Sequence, residues 1–264
     1  MQNLIILYII VVIINVFLVF NFTVKLVGVE TKKIFTSDAI FQIINLLPKC
    51  IGIFQVPLLT LYTEYAINLN KPIDTFYYQA VILSGLIGIL IGFILLPFFI
   101  NSLKESINSI YNNNSFKIIF NLQSLKIIAS SFLSANFFLF FKGHKLYKIK
   151  NRKLFSYNLI VSFLFCSAFP ACILAGYYIP EYRATINSMV SLFNGIAAFV
   201  IILFIDTKLS VITDKTFHNQ ITLTEYKMIL FDCLKGKMVG TLLGVIALPL
   251  MSNGIVFLVS KFLI

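Results

Sequence analysis

"IFTSDAIFQIINLLPKCIGIFQVPLLTLYTEY", Ile34 to Tyr65, is long enough to cross a bilayer but carries Gln42, Asn45, Pro48, Lys49, Gln55 and Pro57 inside it. Whether it crosses decides the fold, because the answer sets the side on which every later loop lies. The other apolar runs are plain. Leu4 to Phe22, Tyr78 to Ile100, Leu159 to Ile179, Ser188 to Ile205 and Val239 to Leu258 each approach the roughly 20 apolar residues that a helix needs to span ~30 Å of hydrocarbon. Charge settles the doubtful stretch. With six spans, all 21 basic residues except Lys49, Lys71, Arg183 and Lys261 fall on one face of the membrane. Without a crossing at Ile34 to Tyr65, Lys25, Lys32 and Lys33 land on the opposite face from the two largest basic loops.

The sequence therefore predicts an all-α, polytopic integral membrane protein. One transmembrane domain covers 1–264, with spans at about 4–22, 38–65, 78–100, 159–179, 188–205 and 239–258. By the positive-inside rule the basic face is cytoplasmic and both termini lie outside. Composition agrees: 59% of residues are hydrophobic and 12% are charged, against about 25% charged in soluble domains, with a mean hydropathy of +0.94. The first run is not a cleavable signal, since Met1-Gln2-Asn3 supplies no positive start and no small-x-small cleavage site follows.

The stretch 116–141 is apolar enough to suggest a seventh span, but a single crossing there would divide the basic loops. Ile118, Leu122, Leu125, Ala129 and Phe132 share one helical face, while Lys117, Asn121, Ser124 and Ser131 lie on another. That pattern predicts an amphipathic helix in the cytoplasmic interface, or a re-entrant one. The basic loop Lys142 to Lys153 fixes orientation and attracts anionic membrane lipids. Nucleic acid is excluded as a partner, because the charge is split among the loops of a membrane protein with no binding fold around it.

Catalytic motifs are missing. The sequence has no Walker A pattern, no G-x-S-x-G and no H-E-x-x-H; His144 and His218 stand alone, and Cys50, Cys166, Cys172 and Cys233 lack metal-ligand spacing. No cofactor and no metal are expected. Gly88-x-x-x-Gly92, with Gly85 one turn earlier, and Gly240-x-x-x-Gly244 read as close helix contacts within the chain, with a homo-oligomer interface or a sliding surface as alternatives.

Polar groups inside the spans remain. An ionisable residue at the bilayer centre costs at least ~2.5 kcal/mol on insertion scales and normally faces protein or a wet cavity. Lys49 is the clearest case, between Pro48 and Pro57, whose missing backbone donors predict a discontinuous helix. Lys25, Glu64 and Asn194 join it. "AGYYIPEYRATINSMVSLFNGIA" (175–197) adds Glu181 and Arg183 at the outer surface, where they read either as solvated loop charges beside a helix start or as an outer gate. The pair Asn194-Gly195 is expected to permit close helix approach.

These stretches carry a resemblance. "VKLVGVETKKI" (24–34), "IFQVPLL" (53–59), the 175–197 block with its A-G-x-x-x-P-E-x-R-x-T core, "DTKLSVITD" (206–214) and "GTLL" (240–243) resemble, in order and spacing, the Amj family of alternate lipid II flippases. Three positions depart from the family pattern. Lys25 stands where Arg is usual, Glu30 where a basic residue is usual, and Pro48-Lys49 where Ser-Arg is common. The resemblance implies a bacterial plasma-membrane protein that moves lipid II, its partner, between leaflets. Candidate substrate-binding or gating residues are then Lys25, Lys49, Gln55, Glu64, Glu181, Arg183, Asn194, Asp206 and Lys237. A non-transporting scaffold or a lipid-modifying protein of the cell envelope is the alternative. A scaffold would tolerate neutral substitution of the intramembrane charges.

Overall fold

The computed structural model describes residues 2–113 and 149–262, with Lys126 and Ser130 between them. The described residues form helices and no strand. Six helical stretches have the length and apolarity to cross a membrane: Leu4–Glu30, Ile34–Asn68, Thr75–Asn112, Arg152–Tyr178, Pro180–Phe217 and Leu223–Lys261. The protein is a multi-pass membrane protein. Most of these helices outrun the apolar cores read from the sequence, since residues such as Lys104 and Glu105 are good helix formers and continue the backbone beyond hydrocarbon. The amphipathic helix expected at 116–141 lies outside the described residues, apart from Lys126 and Ser130.

The elements are α1 (Gln2–Glu30), α2 (Ile34–Gly52), α3 (Gln55–Asn68), α4 (Thr75–Asn113), α5 (Arg152–Tyr178), α6 (Arg183–Val200), α7 (Thr207–Phe217) and α8 (Leu223–Phe262). The second span is α2 and α3 in line, interrupted at Ile53–Phe54, as the two prolines predict. The fifth span is interrupted as well. Between α6 and α7 the backbone widens to a π-type turn, Ile201–Asp206, and Thr207 Oγ1 donates to the Ile202 and Leu203 carbonyls at 2.8 Å each. The sequence reading did not foresee this second interruption, because no proline marks it.

Contacts fix the alternation of directions. At one end the C-terminus of α1, the C-terminus of α4 and the N-terminus of α8 meet, with Glu30 bridging Lys104 at 2.6 Å and Lys227 at 3.0 Å. Lys33 at the start of α2 donates to Asn108 of α4 at 2.8 Å. The backbone N–H groups of Lys150 and Asn151, entering α5, donate to buried Asp232 of α8 at 2.7 and 2.8 Å. Both flanks of the 114–148 segment thus lie at this basic end. At the opposite end Tyr8 of α1 donates to the Tyr77 carbonyl of α4, and Tyr177 of α5 donates to the Lys71 carbonyl.

Three tight turns close the hairpins in the same way. Lys32, Asn70 and Asn219 take φ of 57°, 49° and 58°. In each case the next residue's N–H reaches back five positions, from Lys33 to Gly28 (3.0 Å), Lys71 to Ala66 (2.9 Å) and Gln220 to Lys215 (2.8 Å). These are Schellman closures, which satisfy helix carbonyls that would otherwise be orphaned. Asn accepts the left-handed conformation more readily than Lys does.

Two helix pairs form the centre, α1 with α4 and α5 with α8. Glycine makes both possible. A Cβ on Gly88 would stand 2.4 Å from the Val12 carbonyl oxygen, and one on Gly236 or Gly240 would stand 2.3 Å from that of Phe155 or 2.2 Å from that of Leu159. Spans two and five pack outside these pairs, against α1 and α5, and are the least buried of the six. The glycine stripes therefore serve contacts within the chain, as expected. Gly195 does not: nothing lies within 4 Å of the Cβ it lacks, so the expected close approach at Asn194-Gly195 is corrected. Gly195 lies on the exposed side of the fifth span, while Ala197 in the same turn is buried.

Gly240→Ala should therefore force α5 and α8 apart and lower the melting temperature and membrane abundance clearly. Gly195→Ala should leave both unchanged or slightly better, since Ala exceeds Gly in helix propensity by about 1 kcal/mol. Thermal unfolding of the two variants in mild detergent checks this.

Candidate functional site

The outer end is shaped by the sequence around Pro180. Its preceding residue, Ile179, is extended at φ −130°, as the residue before a proline prefers. A 3-10 turn, Pro180–Tyr182, follows, and α6 starts at Arg183. Gly176 on the last turn of α5 lets this start lie close, since a Cβ there would stand 3.2 Å from the Cβ of Arg183. Arg183 Nη1 then reaches Glu64 Oε1 of α3 at 3.6 Å. Both side chains are more than 40% exposed, 46% and 41%. An ion pair this open contributes at most about 1 kcal/mol. It can break and re-form.

Behind the pair lies an open cleft of about 220 Å³ lined by Thr60, Thr63, Ile67, Ile173 and Asn187. Thr63 is satisfied by Tyr78, hydroxyl to hydroxyl at 2.6 Å. Thr60 Oγ1 and Asn187 Oδ1 are buried and without a hydrogen-bond partner. A buried, unmatched acceptor or hydroxyl costs about 1–3 kcal/mol. The 220 Å³ includes open solvent, and the enclosed part admits little more than a water-sized group, so the cleft offers a polar foothold and no room for a whole large head group.

Towards the basic end, Lys25 of α1 approaches Asp206, at the end of the π-type turn, to 3.9 Å. The Lys25 ammonium also sits 5.1 Å from the centre of the Phe41 ring. Loose ion pairs thus tie the fifth span to its neighbours on both sides of its interruption. Glu30 behaves differently. It is only 9% exposed and holds two lysines, so it clasps three helices rather than gating anything.

The sequence candidates distribute as follows. Glu64 meets Arg183, and Lys25 meets Asp206. Glu181 is exposed in the 3-10 turn and is in none of the ion pairs among the described residues; the partner of Arg183 is the more distant Glu64. Lys49 is exposed in the last turn of α2, beside the interruption, and is likewise in none of them. Gln55 opens α3 on the other side of that interruption. Asn194 is half-buried in α6 with its Oδ1 enclosed and unpartnered. Lys237 is half-buried in α8, its carbonyl accepting from Thr241 Oγ1 at 2.9 Å. All four cysteines are unpaired thiols. Thr60 and Asn187 escaped the sequence reading, since a lone Thr and a lone Asn far apart in the chain carry no motif. The clasp had one legible sign, an acid at Glu30 amid lysines.

Six apolar spans, two of them interrupted, with ionisable and amide side chains held among them, define a multi-pass membrane protein without a recognisable catalytic centre among its described residues. The sequence model of the Amj family, described as alternate to MurJ, matches residues 10–259, and the chain belongs to that family. The Lipid II flippase Amj of Bacillus subtilis (strain 168) is 23% identical over 228 residues, covering 84% of this chain and 84% of that protein. No solved structure matches the chain.

The two kinds of ion pair should separate in stability measurements. Glu30→Gln leaves two lysines facing a neutral amide in a mostly buried place and should destabilise by about 2 kcal/mol or more. Glu64→Gln should cost less than about 1 kcal/mol. Comparable losses for both in denaturant unfolding would contradict the assignment.

Proposed function

We propose that the chain is a lipid II flippase, moving the polyprenyl-diphosphate-linked peptidoglycan precursor from the cytoplasmic to the outer leaflet of a bacterial plasma membrane. The observation that carries this reading is the family match over residues 10–259, together with the flippase name of the relative. On it, the basic end faces the cytoplasm and both termini lie outside, following the positive-inside rule.

Physical chemistry supports the assignment of parts. Lipid II bears a diphosphate, two sugars and a peptide on a long apolar tail. Unassisted passage of that head through hydrocarbon would have a prohibitive desolvation cost. The head needs a polar route at the protein surface, with the tail left in lipid. Spans two and five suit this task, since they are the least buried and both are interrupted mid-membrane. Irregular backbone at that depth is tolerated where it lines a cavity. Lys49, beside the first interruption, is placed to neutralise a diphosphate, and Gln55 and Asn194 to bond sugars and peptide. The pair Glu64–Arg183 opens and closes towards the outer face, while Lys25–Asp206 tethers the fifth span to the first beside its interruption. With no nucleotide motif in the sequence, the drive comes from an ion gradient, the membrane potential or consumption of lipid II outside.

Expression should support growth of a bacterium depleted of MurJ, with externally exposed lipid II restored. Full membrane abundance without rescue in several hosts would favour a scaffold. Lys49→Met should lower the rate of lipid II exposure about tenfold or more at equal abundance, as a charge-assisted contact contributes about 1.5–3 kcal/mol. Arg183→Gln should impair it less, because water substitutes at the surface, and Lys150→Gln should be nearly silent. Impermeant thiol labelling of cysteines placed at Lys71 and Arg183 should succeed from outside, and at Lys208 or Lys215 only from the cytoplasm.

A further inference from the structure

The two halves of the chain match each other upside down. In the second span, Lys33, Ser37, Thr63 and Glu64 are all the same number of residues from Arg183, Asn187, Thr213 and Asp214 in the fifth. The two interruptions fall at the same register, Ile53–Phe54 against Ile201–Asp206. Thr63 pairs with Tyr78 of the third span at 2.6 Å, and Thr213 with Tyr226 of the sixth at 2.8 Å. The first pair lies at the outer end and the second at the basic end.

Further contacts repeat in the same sense. Asn15 Nδ2 donates to the Val11 carbonyl at 3.0 Å, and Asn158 Nδ2 to the Leu154 carbonyl at 2.9 Å. Against these asparagines pack Gly88, which faces the Val12 carbonyl and the Asn15 Cβ, and Gly236, which faces the Phe155 carbonyl and the Asn158 Cβ. Tyr78 and Tyr226 precede these glycines by the same interval. Gly28 at the end of α1 faces Ser37, as Gly176 at the end of α5 faces Arg183 and Asn187. Left-handed Asn70 and Asn219 close spans two and five.

The match fails in one informative place. At the outer end Arg183 holds Glu64. Their counterparts at the basic end, Lys33 and Asp214, are not joined. Lys33 instead donates to Asn108 at 2.8 Å and lies 4.3 Å from the Tyr111 ring, while Asp214 is exposed and in none of the ion pairs among the described residues.

We infer that spans one to three and four to six are an inverted repeat, and that Lys33 and Asp214 are the inner gate, open here while the outer gate Glu64–Arg183 is closed. The opposite state exchanges the roles of the halves: Lys33 leaves Asn108 for Asp214, and Arg183 releases Glu64. Inverted repeats commonly work this way, with one repeat rocking against the other around a central site. In the present state Lys33 and exposed Ser210, the counterparts of Arg183 and Thr60 by the same interval, mark an inner foothold suited to an anionic, hydroxyl-rich head group. That cargo rests on the flippase reading; the repeat and the alternation do not.

The test uses the full chain in membranes with Cys50, Cys166, Cys172 and Cys233 replaced by serine or alanine. Lys33→Cys and Asp214→Cys are joined by a short bifunctional thiol reagent, and Asn187→Cys is then labelled from outside with an impermeant thiol reagent. Locking the inner pair should speed labelling about tenfold or more, the change expected if the outward-open state is a minority of ~10% or less beforehand. Locking Glu64→Cys to Arg183→Cys should keep it slow. If the double variant does not reach the membrane, Lys33→Cys with Ser210→Cys, one turn earlier on the same helix, is held to the same result. Cross-linking of the inner pair with unchanged labelling of Asn187→Cys would overturn the inference. So would failure to cross-link when each single cysteine reacts. The readout is protein motion without cargo, so coupled labelling in a chain that fails to rescue would remove only the flippase reading.

Discussion

Backbone touching backbone is what the rest of this protein depends on. Hydrocarbon supplies little hydrophobic force between helices, so association rests on dense van der Waals contact. Here that contact is made where glycine lets one helix lie on the carbonyls of another, Gly88 on Val12 and Gly236 and Gly240 on Phe155 and Leu159. The resulting pairs, α1 with α4 and α5 with α8, are firm. Spans two and five inherit what is left, packing chiefly on α1 and α5 respectively and exposing most of their surface.

That inequality separates holding from moving. The interrupted spans lack a continuous hydrogen-bond ladder and a deep packing interface, the features expected of elements that shift at low free-energy cost. The charges divide along the same line. Glu30 and Asp232 are enclosed acids that satisfy lysines or backbone N–H groups at the basic end, each tying helices of the firm centre together. Glu64–Arg183 and Lys25–Asp206 are long or exposed pairs that attach the loosely held spans. A chain of this composition has few ionisable groups, and they serve either rigidity or loose attachment according to burial.

The path of the second span shows how much could be read without coordinates. Pro48 and Pro57 announced its interruption, because a missing backbone donor has the same consequence in any context. The parallel interruption at Ile201–Asp206 was invisible, since a π-type turn needs no special residue and arises from packing against α5 and the Thr207 hydroxyl. Glycine spacing foretold close contacts at Gly88 and Gly240 correctly, whereas Gly195, read with Asn194 as permitting close approach, meets nothing, because a small residue says that a helix can be approached and not that anything approaches.

The sequence by itself determined that the chain lives in a membrane, that it crosses six times, and that its positive charge gathers at one end, since these follow from hydrocarbon thickness and the cost of burying charge. It also carried the family blocks. Only the tertiary structure decided which ionisable groups meet. Glu64 and Arg183, or Lys25 and Asp206, are separated by well over a hundred residues, and no periodicity along a helix encodes the rotation of its partner. The correspondence of the two halves was hidden because the residues that carry it, such as Thr63 and Thr213 or Gly88 and Gly236, are isolated matches along the chain, and only their contacts show that they play the same part.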